Sequence, residues 1–195
     1  MEHSLHSAER AEAAATTAEA LPRQVKIAIA LPILAAFVMI LNETVMSVAL
    51  PRLMSEFSVT AATAQWLATG YMLTMAVVIP TTGLILQRFT TRAVFIAATS
   101  LFAAGTLLAA LAPVFGVLLV ARVVQAAGTA LVLPLLMTTV LTLVPAAGRG
   151  RVMGMVSVVI SVAPAVGPTF SGLILSELSW RWLFLSVLPI ALLTI

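Results

Sequence analysis

The sequence has 195 residues, of which 62% are hydrophobic and only 9% are charged, and its mean hydropathy is +1.15. This composition excludes a soluble globular domain, and a transmembrane β-barrel would instead show short segments of alternating polarity. Apolar segments of about 20 residues match the thickness of a bilayer core, so the composition indicates a multi-span helical membrane protein.

The reactive side chains argue against a membrane-embedded enzyme. The chain has no cysteine and no aspartate, and its two histidines, His3 and His6, lie in the polar N-terminal stretch. Disulfides, thiolate metal sites and an intramembrane histidine dyad are therefore excluded. Because a catalytic site needs a nucleophile, a base and a stabilising group placed together, the sequence predicts a protein that is not an enzyme and needs no cofactor.

The apolar segments predict a polar cytosolic tail over residues 1–24 and a six-helix transmembrane bundle over residues 25–195. The predicted spans cover about residues 27–50, 64–86, 93–111, 114–140, 152–175 and 182–195. Pro51 and Arg52 are expected to close the first span. The sixth segment is shorter than the ~20 residues that cross a bilayer, which predicts a fragment or a truncated reading frame.

Charges in the short loops predict the orientation of the bundle. The basic residues of one side are Arg23, Lys26, Arg88, Arg92, Arg149 and Arg151. The other side has Arg52 and Arg181, each near a glutamate, Glu56 or Glu177. Because short cytoplasmic loops are enriched in lysine and arginine, we expect a multi-pass protein of the cell membrane with a cytoplasmic N-terminus. The same rule accounts for the basic residues without a nucleic-acid partner.

Glu43 and Arg122 are the only charged residues deep within the predicted spans. At ~1.5 Å rise per residue, both lie about 12 Å below the predicted outer face. Since an intramembrane charge costs about 2.5–3.5 kcal/mol on insertion scales, it usually faces a cavity or a partner. One interpretation is a buried ion pair that only fixes helix packing. The other is that Glu43 exchanges a proton or meets a cationic substrate while Arg122 tunes its charge.

The fifth predicted span contains a stripe of small residues interrupted by prolines. The residues concerned are Ala163, Pro164, Gly167, Pro168, Ser171 and Gly172. Small faces let membrane helices approach closely and proline tends to kink a helix, so the spacing predicts ordinary close packing or a seam between moving parts. Their order resembles the antiporter motif G-x-x-x-G-P-x-x-G-G of major facilitator superfamily exporters, with Ala163 and Ser171 in place of two glycines.

Segments of the first and fourth spans also resemble this superfamily. RVVQAAGTA is similar to the fourth-helix pattern R-x-x-Q-G-x-G, with matches at Arg122, Gln125 and Gly128. The resemblance implies that the arginine takes part in proton coupling. LNETVMSVALP is similar to the first-helix motif L-D-x-T-V-x-N-V-A-L-P of the 14-span drug:proton antiporters. Here Asn42 takes the place of the aspartate, and the carboxylate moves to Glu43.

The loop after the second span is a poorer match. GLILQRFTTR resembles the signature G-x-L-A-D-R-x-G-R-[RK] at Gly83, Arg88 and Arg92. Gln87 replaces the aspartate that helps to gate the cytoplasmic side in family members. The enrichment of lysine and arginine in short cytoplasmic loops is by itself enough to account for two arginines here.

QWLATGYML and WRWLF resemble the drug:proton branch as well. Their tryptophans, Trp66, Trp180 and Trp182, lie near predicted span ends, where an aromatic belt at the membrane interface is expected. The belt and the resemblance are compatible.

Taken together, the motifs look most like those of lincomycin-resistance-type multidrug exporters. The resemblance implies the N-terminal six-helix half of a major facilitator transporter, an all-α fold of two inverted three-helix repeats. It also implies export of a lipophilic, often cationic, small molecule in exchange for protons, driven by the proton gradient. The implied partners are this substrate, protons, the lipid bilayer and a missing C-terminal half. The alternative is a non-transporting six-span stub or partner subunit.

Overall fold

The structure is a computed structural model that describes residues 23–194. Its helices are α1 (Arg23–Glu56), α2 (Ala61–Ala64), α3 (Trp66–Arg88), α4 (Thr91–Ala110), α5 (Phe115–Leu143), α6 (Ala146–Glu177) and α7 (Arg181–Leu193). Five helices, counting Ala61–Arg88 as one, are long and apolar enough to cross a membrane, and α7 is a shorter apolar helix. The predicted all-α fold is confirmed, and the described residues contain no strand.

The helices extend beyond several predicted boundaries. The first helix does not end where the first span is predicted to end, and α1 continues through Pro51 to Glu56. A membrane helix accommodates an internal proline where its surroundings satisfy the freed carbonyl group. At the other end, α1 begins at Arg23, inside the segment predicted as a tail. The rest of that tail, residues 1–22, lies outside the described residues.

The loop predicted between the fourth and fifth spans is mostly helical, since α6 begins at Ala146. Arg149 therefore lies in the first turns of α6, where it reaches back to the end of α5. Its Nε donates to the carbonyl oxygen of Val144 at 3.1 Å, and its Nη2 donates to that of Leu141 at 2.8 Å. The last carbonyl groups of a helix lack intrahelical donors, so Arg149 caps α5 and stabilises the turn into α6.

The helix contacts show the pairing expected of two inverted repeats. The first repeat comprises α1, α3 and α4, and the second comprises α5, α6 and α7. The second long helix of each repeat packs on the first helix of the other, so that α3 lies on α5 and α6 lies on α1. In addition, α1 contacts α5, and α4 packs against both α5 and α7. Residues on α1 and α5 are thereby brought together in the bundle.

Two glycines let α4 and α5 approach closely. A methyl group at Gly105 would lie 2.7 Å from the backbone nitrogen of Gln125. One at Gly128 would lie 2.5 Å from the carbonyl oxygen of Ala98 and 2.8 Å from the backbone nitrogen of Phe102. Small residues are the usual means of close packing between membrane helices, where lipid supplies no hydrophobic drive. Polar side chains of α4 and α5 can meet because of this approach.

The end of the bundle opposite the basic loops is closed by an aromatic cluster. Trp180 is only 2% exposed, and its ring centroid lies 5.6 Å from that of Phe57 and 6.2 Å from that of Phe184. The predicted membrane-interface role is therefore wrong for Trp180, which packs inside the bundle. Trp66 and Trp182 remain about half exposed, as a belt residue must be.

Arg181 contacts three residues at this end. Its Nη1 lies 3.7 Å from Glu56 Oε1, and its Nη2 donates to the carbonyl oxygen of Ala112 at 3.3 Å. Its Cζ lies 4.6 Å from the ring centroid of Trp180. The acid that pairs with it is therefore Glu56 from α1, and the neighbouring Glu177 forms no ion pair in the described part of the chain.

We expect Glu56→Gln to lower the free energy of unfolding by less than about 1 kcal/mol, because solvent screens an ion pair between partly exposed side chains. Arg181→Gln should cost more, since it also removes the stacking on Trp180 and the bond to Ala112. Thermal denaturation of both variants in detergent compares them. An equal or larger loss in Glu56→Gln would contradict this assignment.

Candidate functional site

A layer of polar side chains separates two apolar clusters of the bundle. One cluster lies toward the basic end and includes Ile29 and Val140. The other lies toward the aromatic end and includes Trp180. Between them lie Asn42 on α1, Tyr71 on α3, Thr106 on α4, and Arg122, Gln125 and Thr129 on α5. Each is at most 2% exposed. Buried polar groups in a membrane protein are costly, so a connected layer of them marks a candidate site.

Neutral partners hold the guanidinium group of Arg122. Its Nη1 donates to Asn42 Oδ1 at 2.9 Å and to Gln125 Oε1 at 3.1 Å. The ring of Tyr71 covers one face, with Cζ 4.1 Å from the ring centroid. Within residues 23–194, the buried Nε has no hydrogen-bond partner. No acid among the described residues forms an ion pair with Arg122, so neutral groups hold its positive charge in place.

Further hydrogen bonds tie this arginine to α4 and α3. Gln125 Nε2 donates to Thr106 Oγ1 at 2.8 Å, which places the α4 threonine directly behind the amide. Tyr71 donates its hydroxyl proton to Thr129 Oγ1 at 2.8 Å, and Thr129 in turn donates to the carbonyl oxygen of Gln125 at 3.0 Å. The network thus joins four helices, and such networks specify one packing when their members are satisfied.

Glu43 lies beside this network, at a cavity of about 310 Å³. Arg122 and Tyr71 also line this cavity, together with polar and apolar residues: Thr44, Met46, Ser47, Leu50, Gln65, Ala68 and Met72. The side chain of Glu43 is half-buried. In the described residues it forms no ion pair with Arg122, so the interpretation as a direct packing pair does not match this conformation. Glu43 and Arg122 instead share the lining of one cavity.

The small-residue stripe of α6 faces α1. Ala163, Gly167 and Ser171 are buried, whereas the prolines and Gly172 are exposed on other faces of the helix. At Gly167 an added methyl group would collide with the side chain of Thr44, which lines the cavity. The stripe therefore sets how closely α6 approaches the cavity-bearing part of α1. The exposed residues of the motif are Pro164, Pro168 and Gly172.

The residues predicted to form a gating loop do not join this site. Gly83, Gln87, Arg88 and Arg92 are all exposed at the basic end of the bundle. Gly83 has no neighbour within 4 Å of an added methyl group. Neither arginine forms an ion pair with another described residue.

Sequence patterns did not single out two members of the network, Tyr71 and Thr106. Tyr71 is the chain's one tyrosine and lies in QWLATGYML, but its spacing says nothing about which helix it faces. Thr106 is one of many threonines in apolar segments, most of which bond only to a carbonyl oxygen of their own helix. The signal that distinguishes Thr106 is the adjacent Gly105, which brings Gln125 within reach.

Residues 33–195 match the sequence profile described as Major Facilitator Superfamily. The chain belongs to this superfamily. The matched segment contains both the cavity-lining Glu43, on α1, and the buried Arg122, on α5.

Curated relatives agree with this assignment. The chain is 47% identical over 176 residues to the uncharacterized MFS-type transporter YcnB of Bacillus subtilis, covering 90% of this chain and 37% of that protein. It is 49% identical over 164 residues to lincomycin resistance protein LmrB of Listeria monocytogenes, covering 82% and 35%. The chain thus spans about a third of the length of these relatives.

A solved structure supports the fold. The bacterial homolog to the human lysosomal transporter Spinster, in an inward-facing and unoccupied conformation, superposes with a TM-score of 0.69. The sequences are 17% identical, and the match covers 89% of this chain and 43% of that one. At this identity the similarity concerns the fold alone.

Proposed function

We propose that this chain contributes one half of a proton-coupled exporter of lipophilic, often cationic, small molecules, with Glu43 as the proton- and cation-responsive group. The observation that carries the proposal is the position of Glu43 at a cavity that it shares with Arg122. Since neutral side chains hold that arginine, the carboxyl group is not committed to a permanent ion pair. A carboxyl group in this setting can bind a proton or an organic cation in turn.

The chemistry of the cavity lining supports the substrate class. Met46, Leu50 and Met72 provide apolar walls, and methionine adapts its shape to different ligands. Tyr71 adds an aromatic surface, while Glu43 adds the one acidic group of the lining. Relatives named for lincomycin resistance and for multidrug resistance support export of small toxic molecules. The walls supplied by these helices would form part of a larger central cavity in a two-half transporter.

The proposal includes a topology and partners. The basic end, with Arg88, Arg92 and Arg151, faces the cytoplasm of a cell membrane, as loop charge predicts. A C-terminal part that includes the second half completes the transporter, because the matched segment covers only about a third of the length of these relatives. Protons and the substrate share this path, and the proton gradient supplies the free energy.

Ethidium, a lipophilic cation, provides a direct test with the full-length protein in inside-out vesicles. Respiration acidifies the vesicle interior, and we expect ethidium to accumulate there and to be released when an ionophore that exchanges K⁺ for H⁺ collapses the pH gradient. Adding ethidium to acidified vesicles should also release protons, as read with a pH-sensitive dye. Accumulation that is unaffected by the ionophore, or no accumulation of ethidium and lincomycin alike, would overturn the proposal.

A further inference from the structure

Tyr71 makes two separate contacts with α5. Its ring lies against the guanidinium group of Arg122, with Cζ 4.1 Å from the centroid. Its hydroxyl donates to Thr129 Oγ1 at 2.8 Å, two helical turns further along the same helix. The side chain is 1% exposed. α3 packs along α5, and Tyr71 brings an aromatic ring of α3 against the buried arginine.

The hydrogen bonds of Arg122 leave one edge of its guanidinium group unused. Both recorded bonds use Nη1, toward Asn42 and Gln125. Among the described residues, neither Nε nor Nη2 donates to an acceptor, and Nε is buried. These two nitrogens form the fork that binds a carboxylate through two parallel hydrogen bonds. Only one corner of the group is hydrogen-bonded, and the Tyr71 ring that lies against it makes a cation–π contact, with Cζ 4.1 Å from the ring centroid.

We propose that Tyr71 is a positioning residue for Arg122: its ring holds the guanidinium plane so that the Nε–Nη2 edge stays available to a carboxylate. Glu43 is the carboxyl group that lines the same cavity. Glu43 lies on α1, Tyr71 on α3 and Arg122 on α5, whereas α4 contributes only the neutral Thr106. Glu43, Tyr71 and Arg122 are the titratable or charged groups among the described residues of the site. The orientation of Arg122 therefore governs how Glu43 responds to pH.

The inference rests on the proposed function, since its readout is the pH profile of transport. The experiment uses ethidium accumulation in inside-out vesicles with the full-length protein, measured from pH 5.5 to pH 8.5, with protein amounts matched. Tyr71→Phe keeps the ring and loses the hydroxyl, and Thr129→Val removes the same hydrogen bond from the other side. Tyr71→Leu removes the ring. Tyr71→Met is a second ringless variant that fills the space flexibly if the leucine variant does not fold.

We expect the ringless variants to shift the pH of half-maximal transport by about one unit, the size of effect that a repositioned neighbouring charge produces. Tyr71→Phe and Thr129→Val should keep the wild-type profile, whatever their rates. In an Arg122→Lys background, which lacks the fork, removing the ring should cause no further shift, because the two changes act on one interaction. A purely structural role would lower protein amount or rate and leave the profile in place.

The outcomes separate the two proposals. If Glu43→Gln transports ethidium with the wild-type pH profile, the proposed role of Glu43 fails, and the positioning role fails with it. If Glu43→Gln is inactive but Tyr71→Leu and Tyr71→Met keep the wild-type profile, only the positioning role of Tyr71 is overturned. A shift in Tyr71→Phe as large as that in Tyr71→Leu would also overturn it, because the hydroxyl and not the ring would then be responsible.

Discussion

Glu43→Gln in the full-length protein is expected to reduce proton-driven efflux to the level of membranes that lack the protein, at unchanged expression. The substitution keeps the size of the side chain and resembles the protonated acid, which also donates and accepts, but it can neither bind nor release a proton. Since Glu43 is the one acidic residue of the cavity lining, no neighbour in that lining can replace it. Folding should tolerate the change, because the side chain forms no ion pair with Arg122 in the described part of the chain.

The same helix offers a matched control for this result. Glu56→Gln makes the same chemical change on α1, outside the cavity and at an exposed ion pair, and it should preserve efflux. Glu43→Asp retains a carboxyl group and should preserve part of the activity with an altered pH dependence. Efflux in inside-out vesicles compares the three variants. Unimpaired efflux in Glu43→Gln would contradict the assignment of Glu43 as the coupling residue.

Gly128→Ala is expected to destabilise the bundle by about 1–3 kcal/mol, the usual cost of inserting an extra carbon into a packed contact. The added methyl group would lie 2.5 Å from Ala98 O and 2.8 Å from Phe102 N, which are backbone atoms of α4. Backbone cannot turn aside as a side chain can, so α4 must move away from α5. That movement lengthens the nearby hydrogen bond between Thr106 and Gln125, and transport should fall with stability.

Gly116→Ala provides the control on α5. Apart from its own turn of helix, no described part of the protein lies within 4 Å of a methyl group at this position, so the variant shows only the gain of helix propensity, up to about 1 kcal/mol for glycine to alanine. The midpoint of thermal unfolding in detergent is measured for both variants, with the amount of monodisperse protein that remains as the readout. A midpoint for Gly128→Ala equal to that of Gly116→Ala would show that the contact between α4 and α5 is looser than these distances indicate.

Local composition was sufficient to predict much of this protein. Apolar segments predicted an all-helical membrane protein and the approximate positions of its apolar helices, because each segment that enters lipid must satisfy its own backbone polar groups. The depth of Glu43 and Arg122 in matching spans also marked them as candidates before any contact was known. Helix ends were less predictable. α1 continues through Pro51 to Glu56, since prolines stop helices less strictly in membrane proteins. α6 begins at Ala146, directly after Pro145 and inside the segment predicted as a loop.

Only the tertiary structure decided which side chains meet. Spacing along α5 places Gln125 one turn from Arg122, but it does not indicate that Asn42 of α1 accepts a hydrogen bond from this arginine or that Tyr71 lies against it. Nor does it indicate that Arg181 pairs with Glu56 of α1 and not with Glu177, which is nearer in the sequence. These contacts depend on how closely the helices approach, and backbone atoms at Gly105 and Gly128 set that distance between α4 and α5. Hydrophobicity is a property of each segment, whereas partner choice is a property of the packed interface.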